Sequence, residues 1–340
     1  MKEFGSDFHY IEHFFSQRAS LGRLYSEAQY LANGRQCIEL LILENHWKRI
    51  WMPAYFCYEV IESIKKTGIE IVFYDDYPLA DDKEIISQIE FKEDDVLFRV
   101  NFFGLRDFRS NKHISIPVIE DHTHDLLGHW ALYSDADWCI ASLRKSLPIA
   151  EGGMLWSPKG KKLPECHPTA ENQFLADERW RAMVWKKDYL DGKEISKESF
   201  RAIYLSTEEQ LESIDYSRID EQGMKYVQQL DINAWSNAKR KNWKKLYMAL
   251  SNKVDMLAPE DESCTSFSLV LKLKSKEERD RIRMSMIENR IYPAILWNVP
   301  EFQSENVVDF SQTMISVHCD GRYTQDDIRI LADKLEQILQ

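Results

Sequence analysis

The feature that most constrains this chain is the rhythm of its apolar residues. Between about Leu31 and Trp156, short apolar runs recur, separated by stretches in which apolar residues return at helical spacing. Cys37-Ile38-Glu39-Leu40-Leu41-Ile42-Leu43 has the helical period, and Asn33 stands where an N-cap would accept a backbone N–H. A short strand ends on Trp51-Met52-Pro53. Tyr58 to Lys66 reads as a helix closed by Thr67-Gly68, and Glu70–Tyr74 as the strand that follows. Val96–Phe102, Ser115–Glu120, Trp138–Leu143 and Gly153–Trp156 continue the series of strands. Strands joined through helices at this spacing predict an α/β fold, a mostly parallel sheet covered by helices on both faces.

The rhythm then changes twice. Between about Ala170 and Leu250 strand signals disappear, and charged and aromatic residues recur at helical spacing. Lys239 to Leu250 is basic, and reads as an amphipathic helix with a solvated face. After Met256, strands are predicted over Ser266–Leu273, Ile291–Leu296 and Met314–Val317, with a helix over Lys276–Asn289. Thr324-Gln325-Asp326-Asp327 opens a final helix with a capping sequence. The expected organisation is a large α/β domain over residues 1–235, in which 170–235 form a helical extension. A smaller C-terminal α+β domain follows over 236–340.

Charge narrows the function classes. With 44 basic and 56 acidic side chains the formal net charge is −12, which argues against a nucleic-acid partner. No apolar run approaches the ~18–20 residues of a membrane span. Residues Met1 to Asp7 lack the basic-then-apolar layout of a secretion signal, and the six cysteines form no Cys-x-x-Cys pair. The expectation is a reduced, cytoplasmic protein whose cysteines are small core residues. Only 12 glycines occur, and no Gly-x-Gly-x-x-Gly or Gly-x-x-x-x-Gly-Lys is among them, so dinucleotide fingerprints and P-loops are excluded.

Three places could carry chemistry. Gly34-Arg35-Gln36 opens a helix, where backbone N–H groups and the helix dipole favour an anion, although most helix starts bind nothing. Val118-Ile119-Glu120-Asp121-His122-Thr123-His124-Asp125 ends an apolar strand abruptly in acids and imidazoles. In doubly wound sheets ligands gather at such strand ends, though polar residues also cap strands without binding anything. The His-x-His raises a metal site, but no third partner stands at ligand spacing, and no metal is expected. Lys145 leaves a buried strand beside Arg144, so burial and a cationic neighbour can lower its pKa and make its amine a nucleophile. Alone it would read as a surface lysine. The Gly152-Gly153 pair that follows suits a tight turn beside a ligand.

Taken in order, an anion-binding helix start, an aspartate at a strand end and a lysine at the next strand end are what pyridoxal phosphate requires. The phosphate would rest on the helix terminus, Asp121 would hold the pyridine nitrogen protonated, and Lys145 would bond the aldehyde.

Several motifs align with a known family. They are Asn33-Gly34-Arg35, Pro53-Ala54-Tyr55-Phe56-Cys57, Phe103-Gly104, Val118-Ile119-Glu120-Asp121, Lys145 with Glu151-Gly152-Gly153, Arg290-Ile291-Tyr292-Pro293 and Met314-Ile315-Ser316-Val317. In these, over roughly Leu31–Leu339, the sequence resembles the DegT-type sugar aminotransferases, which are fold-type-I, pyridoxal-phosphate-dependent enzymes. The resemblance implies that Lys145 is the Schiff-base lysine, that Asp121 partners the pyridinium, and that His124 lies near the ring. It places Gly34, Arg35 and Gln36 at the phosphate, with Ser142 as the nearest hydroxyl, and Phe56 or Cys57 near the stacking position. Arg35 stands where the family often has Thr or Ser, and Ile140 where a phosphate-contacting Ser is common. The stretch Trp185–Gln210 replaces the Asn-x-Arg-Met segment through which the neighbouring subunit normally completes the site. The function implied is transfer of an amino group, by resemblance from glutamate, to a keto sugar that is nucleotide-linked, in a homodimer. Arg322 is a candidate substrate contact, or a surface salt bridge. A sugar dehydrase or lyase with the same cofactor, and a degenerate homologue without catalysis, are the alternatives.

Overall fold

The computed structural model describes residues 2–12, 14–15, 19–211 and 213–340; residues 1, 13, 16–18 and 212 of the expected large domain lie outside the described residues. The first eight strands are β1 (Phe4–Gly5), β2 (Gln29–Leu31), β3 (Arg49–Pro53), β4 (Glu70–Tyr74), β5 (Asp95–Val100), β6 (Val118–Asp121), β7 (Trp138–Ser142) and β8 (Gly153–Trp156). Four more follow: β9 (Asp255–Met256), β10 (Leu269–Lys272), β11 (Ile291–Tyr292) and β12 (Met314–Val317).

A seven-stranded sheet in the order β2-β8-β7-β6-β5-β3-β4 forms the frame. Its ladders β3–β4, β3–β5, β5–β6 and β6–β7 are parallel, and β8 runs antiparallel to both its neighbours. Every residue of β5, β6 and β8 is buried, as a sheet covered on both faces demands. One face packs Ile38, Leu41, Ile61 and Ile64 of the helices Gly34–Asn45 and Tyr58–Lys65 against Met52, Phe98 and Ile140. The other packs the helices Ala170–Leu190, Lys197–Gln210 and Glu221–Gln229 against Leu97, Cys139 and Met154.

A third core, with Leu246, Leu271, Ile282, Ile315 and Leu331, gathers the C-terminal elements around the three-stranded sheet β12-β10-β9. The boundary expected after residue 235 falls inside the helix Ile232–Leu250, which carries buried residues from end to end and joins the two parts. The amino terminus crosses over as well, because β1 pairs in parallel with β11. β2 had no sequence signal, being three residues long. The strand expected over 96–102 stops at Val100, and that over 291–296 at Tyr292. Two caps are as read: the Asn33 side chain accepts the Gln36 N–H, and Thr324 with Asp327 forms a capping box.

Candidate active site

The carboxyl ends of the parallel strands open on a cavity of about 620 Å³. Gly34, Arg35, Phe56, Asp121, His124, Ser142, Lys145 and Arg322 all line it. Gln36 does not. Its backbone N–H is taken by Asn33 Oδ1 at 3.0 Å, and its side chain donates to the Asp215 carbonyl and accepts from the Ser217 N–H, both at 3.1 Å. Gln36 therefore ties the helix start to a distant loop and leaves the cavity to its neighbours.

Glycine sets how closely the walls approach. A Cβ on Gly34 would stand 3.1 Å from the Ser142 Cβ, so the helix start lies directly on the end of β7. A Cβ on Gly153 would overlap the Asn33 carbonyl. The adjacent Gly152 has a φ of +134°, donates its N–H to the Ala32 carbonyl and accepts the Leu143 N–H, each at 2.8 Å. The glycine pair thus sits against backbone rather than beside the cavity, and it joins the helix start to the turn that carries Lys145.

Asp121 ends β6, and its Oδ1 accepts the Thr123 N–H at 2.8 Å. Burial raises its pKa, with the Thr123 bond acting in the opposite sense. Thr123 in turn accepts the Ser142 N–H on its hydroxyl at 2.8 Å, locking β6 to β7 at the cavity floor. His124 Nδ1 accepts the Phe103 N–H at 2.9 Å, which puts the imidazole proton on Nε2. Burial, then Lys239 and Lys145, hold its pKa down to about 3, so the ring is neutral. It is nearly parallel to Phe103 and Trp297, at centroid distances of 5.6 and 5.9 Å. Phe56 packs against Phe98 and Trp297 at 5.4 and 5.6 Å.

Lys145 lies on the short helix Leu143–Ser146 just beyond β7. Its side chain is exposed to the solvent of the cavity, with protein on several sides. The Arg144 guanidinium first, and burial second, lower its pKa to about 8, while Glu208 pulls the other way. A strand-end lysine poised this close to neutrality is a nucleophile at physiological pH.

The fold also brings in residues that no local pattern marked. Asp7, Arg179, Glu208 and Trp297 line the cavity from four separate segments. Lys239, in the basic run read as a solvated face, is buried and donates to the His124 carbonyl at 3.3 Å. Arg322 is engaged: it bonds both oxygens of Asp320 at 2.9 and 3.0 Å and the carbonyls of Ser6 and Asp7 at 3.1 and 3.0 Å. Asp320 and Arg322 thereby strap the amino-terminal segment across the cavity.

Of the His-x-His, His122 alone meets other possible ligands, Glu120 and Cys139 of β7, while His124 turns to the Phe103 N–H. Glu120 Oε1 accepts from Asn111 at 2.7 Å, while Oε2 meets Ser134 at 2.6 Å and His122 Nε2 at 3.1 Å. These bonds satisfy the carboxylate within the core and leave Asp121, one residue on, to face the cavity.

No family model matches the sequence, and no curated protein matches it. Solved structures do. Spr1654 from Streptococcus pneumoniae in its PMP form superposes with a TM-score of 0.68 at 12% identity, over 99% of this chain and 98% of that one. PseC from Helicobacter pylori, an aminotransferase involved in the biosynthesis of pseudoaminic acid, gives 0.63 at 12% over 99% of each chain. NtdA from Bacillus subtilis, with bound cofactor PMP, gives 0.62 at 11% over 96% of this chain and 78% of that one. At such identities the likeness speaks of architecture: this chain shares the α/β fold of these aminotransferase structures, with a mostly parallel seven-stranded sheet.

Proposed function

We propose that this protein is a pyridoxal-phosphate-dependent aminotransferase that moves an amino group from glutamate to a keto sugar carried on a nucleotide. The observation that carries the reading is the Lys145 amine, lowered to about 8, sharing one cavity with the buried Asp121 carboxylate and the helix start at Gly34. The residues fit the cofactor. Asp121 has one oxygen bonded to Thr123 and burial raising its pKa, so it lacks the counter-charge that a protonated pyridine nitrogen would bring. Gly34, Arg35 and Ser142 would hold the phosphate at the helix terminus. Phe56 and His124 would bound the ring, His124 offering a neutral Nε2–H donor without adding charge.

Bound there, pyridoxal phosphate supplies an electron sink that weakens the α C–H bond of an amino acid. The remaining work falls to the protein. Lys145 Nζ would hold the cofactor through its aldehyde and, once freed, would serve as the base and then the acid for the donor's α proton. Asp121 would stay ionised against a protonated ring nitrogen. Ile140, Phe56 and Trp297 line the cavity with apolar surface that would keep water from the ring. Solved structures of the same fold described as sugar aminotransferases support the sugar acceptor, the sequence resemblance supports a homodimer, and the cysteine usage supports a reduced cytoplasmic compartment. Among the described residues no helix is long and apolar enough to cross a membrane.

Adding pyridoxal phosphate to the purified protein should produce the visible absorption band of a lysine-bound cofactor, and glutamate should bleach it. Lys145→Ala should abolish the band. Absence of the band in the native chain would overturn the reading in favour of a non-catalytic homologue; a band that glutamate leaves intact would point to elimination chemistry.

A further inference from the structure

The cavity wall beyond Lys145 holds more positive charge than cofactor binding uses. Arg144 precedes Lys145, and Arg179 reaches in from the helix Ala170–Leu190. A single carboxylate serves both: Glu208 Oε1 accepts from Arg144 Nη2 at 2.6 Å, and Oε2 accepts from Arg179 Nη1 at 3.3 Å. Arg179 is 3% exposed. Its Nε donates to the Ala150 carbonyl at 2.9 Å and its Nη1 also to Thr207 Oγ1 at 3.0 Å, which fixes the plane of the guanidinium. Among the described residues no hydrogen bond engages its Nη2, although the residue lines the cavity. Arg144 Nε is likewise buried and unpartnered.

Asp7, on the strap held by Arg322, is the other carboxylate facing the pair, and Lys145 and Arg35 add positive charge on the same wall. Glu208 is the most exposed of the three bonded side chains. It lies near the end of the helix Lys197–Gln210, its side chain is 43% exposed, and it is the only carboxylate bonded to either guanidinium among the described residues. Two forks, two idle donors and one partly solvated carboxylate make a receptor for a planar anion whose place an internal group holds.

We propose that Arg144 and Arg179 form the subsite for the α-carboxylate of the amino donor, and that Glu208 occupies it until the donor displaces it. The resident group is itself a carboxylate, so the pair is already arranged around one. Arg144 is the chain neighbour of Lys145, and an amino acid whose nitrogen replaces the lysine places its α-carboxylate two bonds from that nitrogen. The subsite rests on the aminotransferase reading, and it names the donor class as an α-amino acid bound through charge.

Glutarate, which has the donor's carboxylates and no amine to react, is the probe, titrated by calorimetry into protein whose cofactor loading is first verified by absorbance. Arg179→Gln should weaken glutarate at least tenfold, with Arg179→Lys in between. Glu208→Gln should tighten it several-fold, because the competitor is gone. The opposite signs separate displacement from general loss of structure. If Arg179→Gln does not fold, Glu208→Gln decides alone. Unchanged or weaker glutarate binding in loaded Glu208→Gln protein would overturn the subsite, as would weakening of UDP rather than glutarate by Arg179→Gln. Protein that fails to load cofactor would instead overturn the aminotransferase reading.

Discussion

Lys145 shows how one neighbour sets a reactive group. An amine held to about 8 keeps a neutral fraction of roughly a fifth near pH 7.4, and the largest cause is Arg144, one residue away. Only the neutral amine attacks an aldehyde, so the rate at which the cofactor attaches should rise with pH through about 8. Arg144→Gln removes the repulsion and returns the amine toward its ordinary value of 10.5, moving that rise to higher pH. Stopped-flow formation of the visible band across a pH series reads the shift directly. An unchanged midpoint would mean that burial alone sets the amine. His124, neutral because burial holds it to about 3, should contribute no inflection of its own above pH 5.

At the scale of elements, the cavity depends on how closely two backbones pass. Gly153 in β8 runs against the Asn33 carbonyl, which immediately precedes the helix start proposed to hold the phosphate. Gly153→Ala should destabilise the fold by about 1–3 kcal/mol through overpacking, measured by urea denaturation. It should also weaken cofactor phosphate binding, because the helix must move off Ser142. A variant of native stability would show that the contact yields. The long elements and their caps were legible in the sequence: β4 and β8, the Asn33 cap and the Thr324–Asp327 box follow from local pattern and hydrogen-bonding chemistry. Gly34, Asp121 and Lys145 were legible as well, because each stands at the end of a periodic segment. Arg179 and Glu208 were not. They sit within helices and meet Arg144 only through tertiary packing. The one available signal was a charged residue on the stripe Leu175, Ala176, Trp180, Met183, which the helix buries. Gln36 misled for the converse reason, since its side chain turns toward residues 215–217, which sequence proximity does not reveal.

Across the whole molecule, buried ionisable groups couple the fold to pH. Glu151, in the turn before β8, accepts from Asn172 and from the Asp220 N–H, and burial raises its pKa from 4.5 to about 8. The folded chain keeps this proton where the unfolded chain releases it, so the stability contributed by Glu151 is lost as pH rises from about 4.5 to 8. Lys186, lowered by burial and Arg322 from 10.5 to about 7, acts in the opposite sense over the higher window, where the unfolded chain binds the extra proton. Glu151→Gln should flatten the decline of the melting temperature between about pH 5 and 8, and an unaltered slope would assign it to other groups.

The two lobes are joined by the helix Ile232–Leu250 and by the pairing of β1 with β11, so the cavity is walled by both ends of the chain. Chemistry in that cavity has to pass through one amine. Borohydride reduction of the pyridoxal-phosphate-loaded protein, followed by peptide mass mapping, should place a single phosphopyridoxyl group on Lys145. A label on Lys186 or Lys239 with Lys145 unmodified, or no label at all, would contradict it.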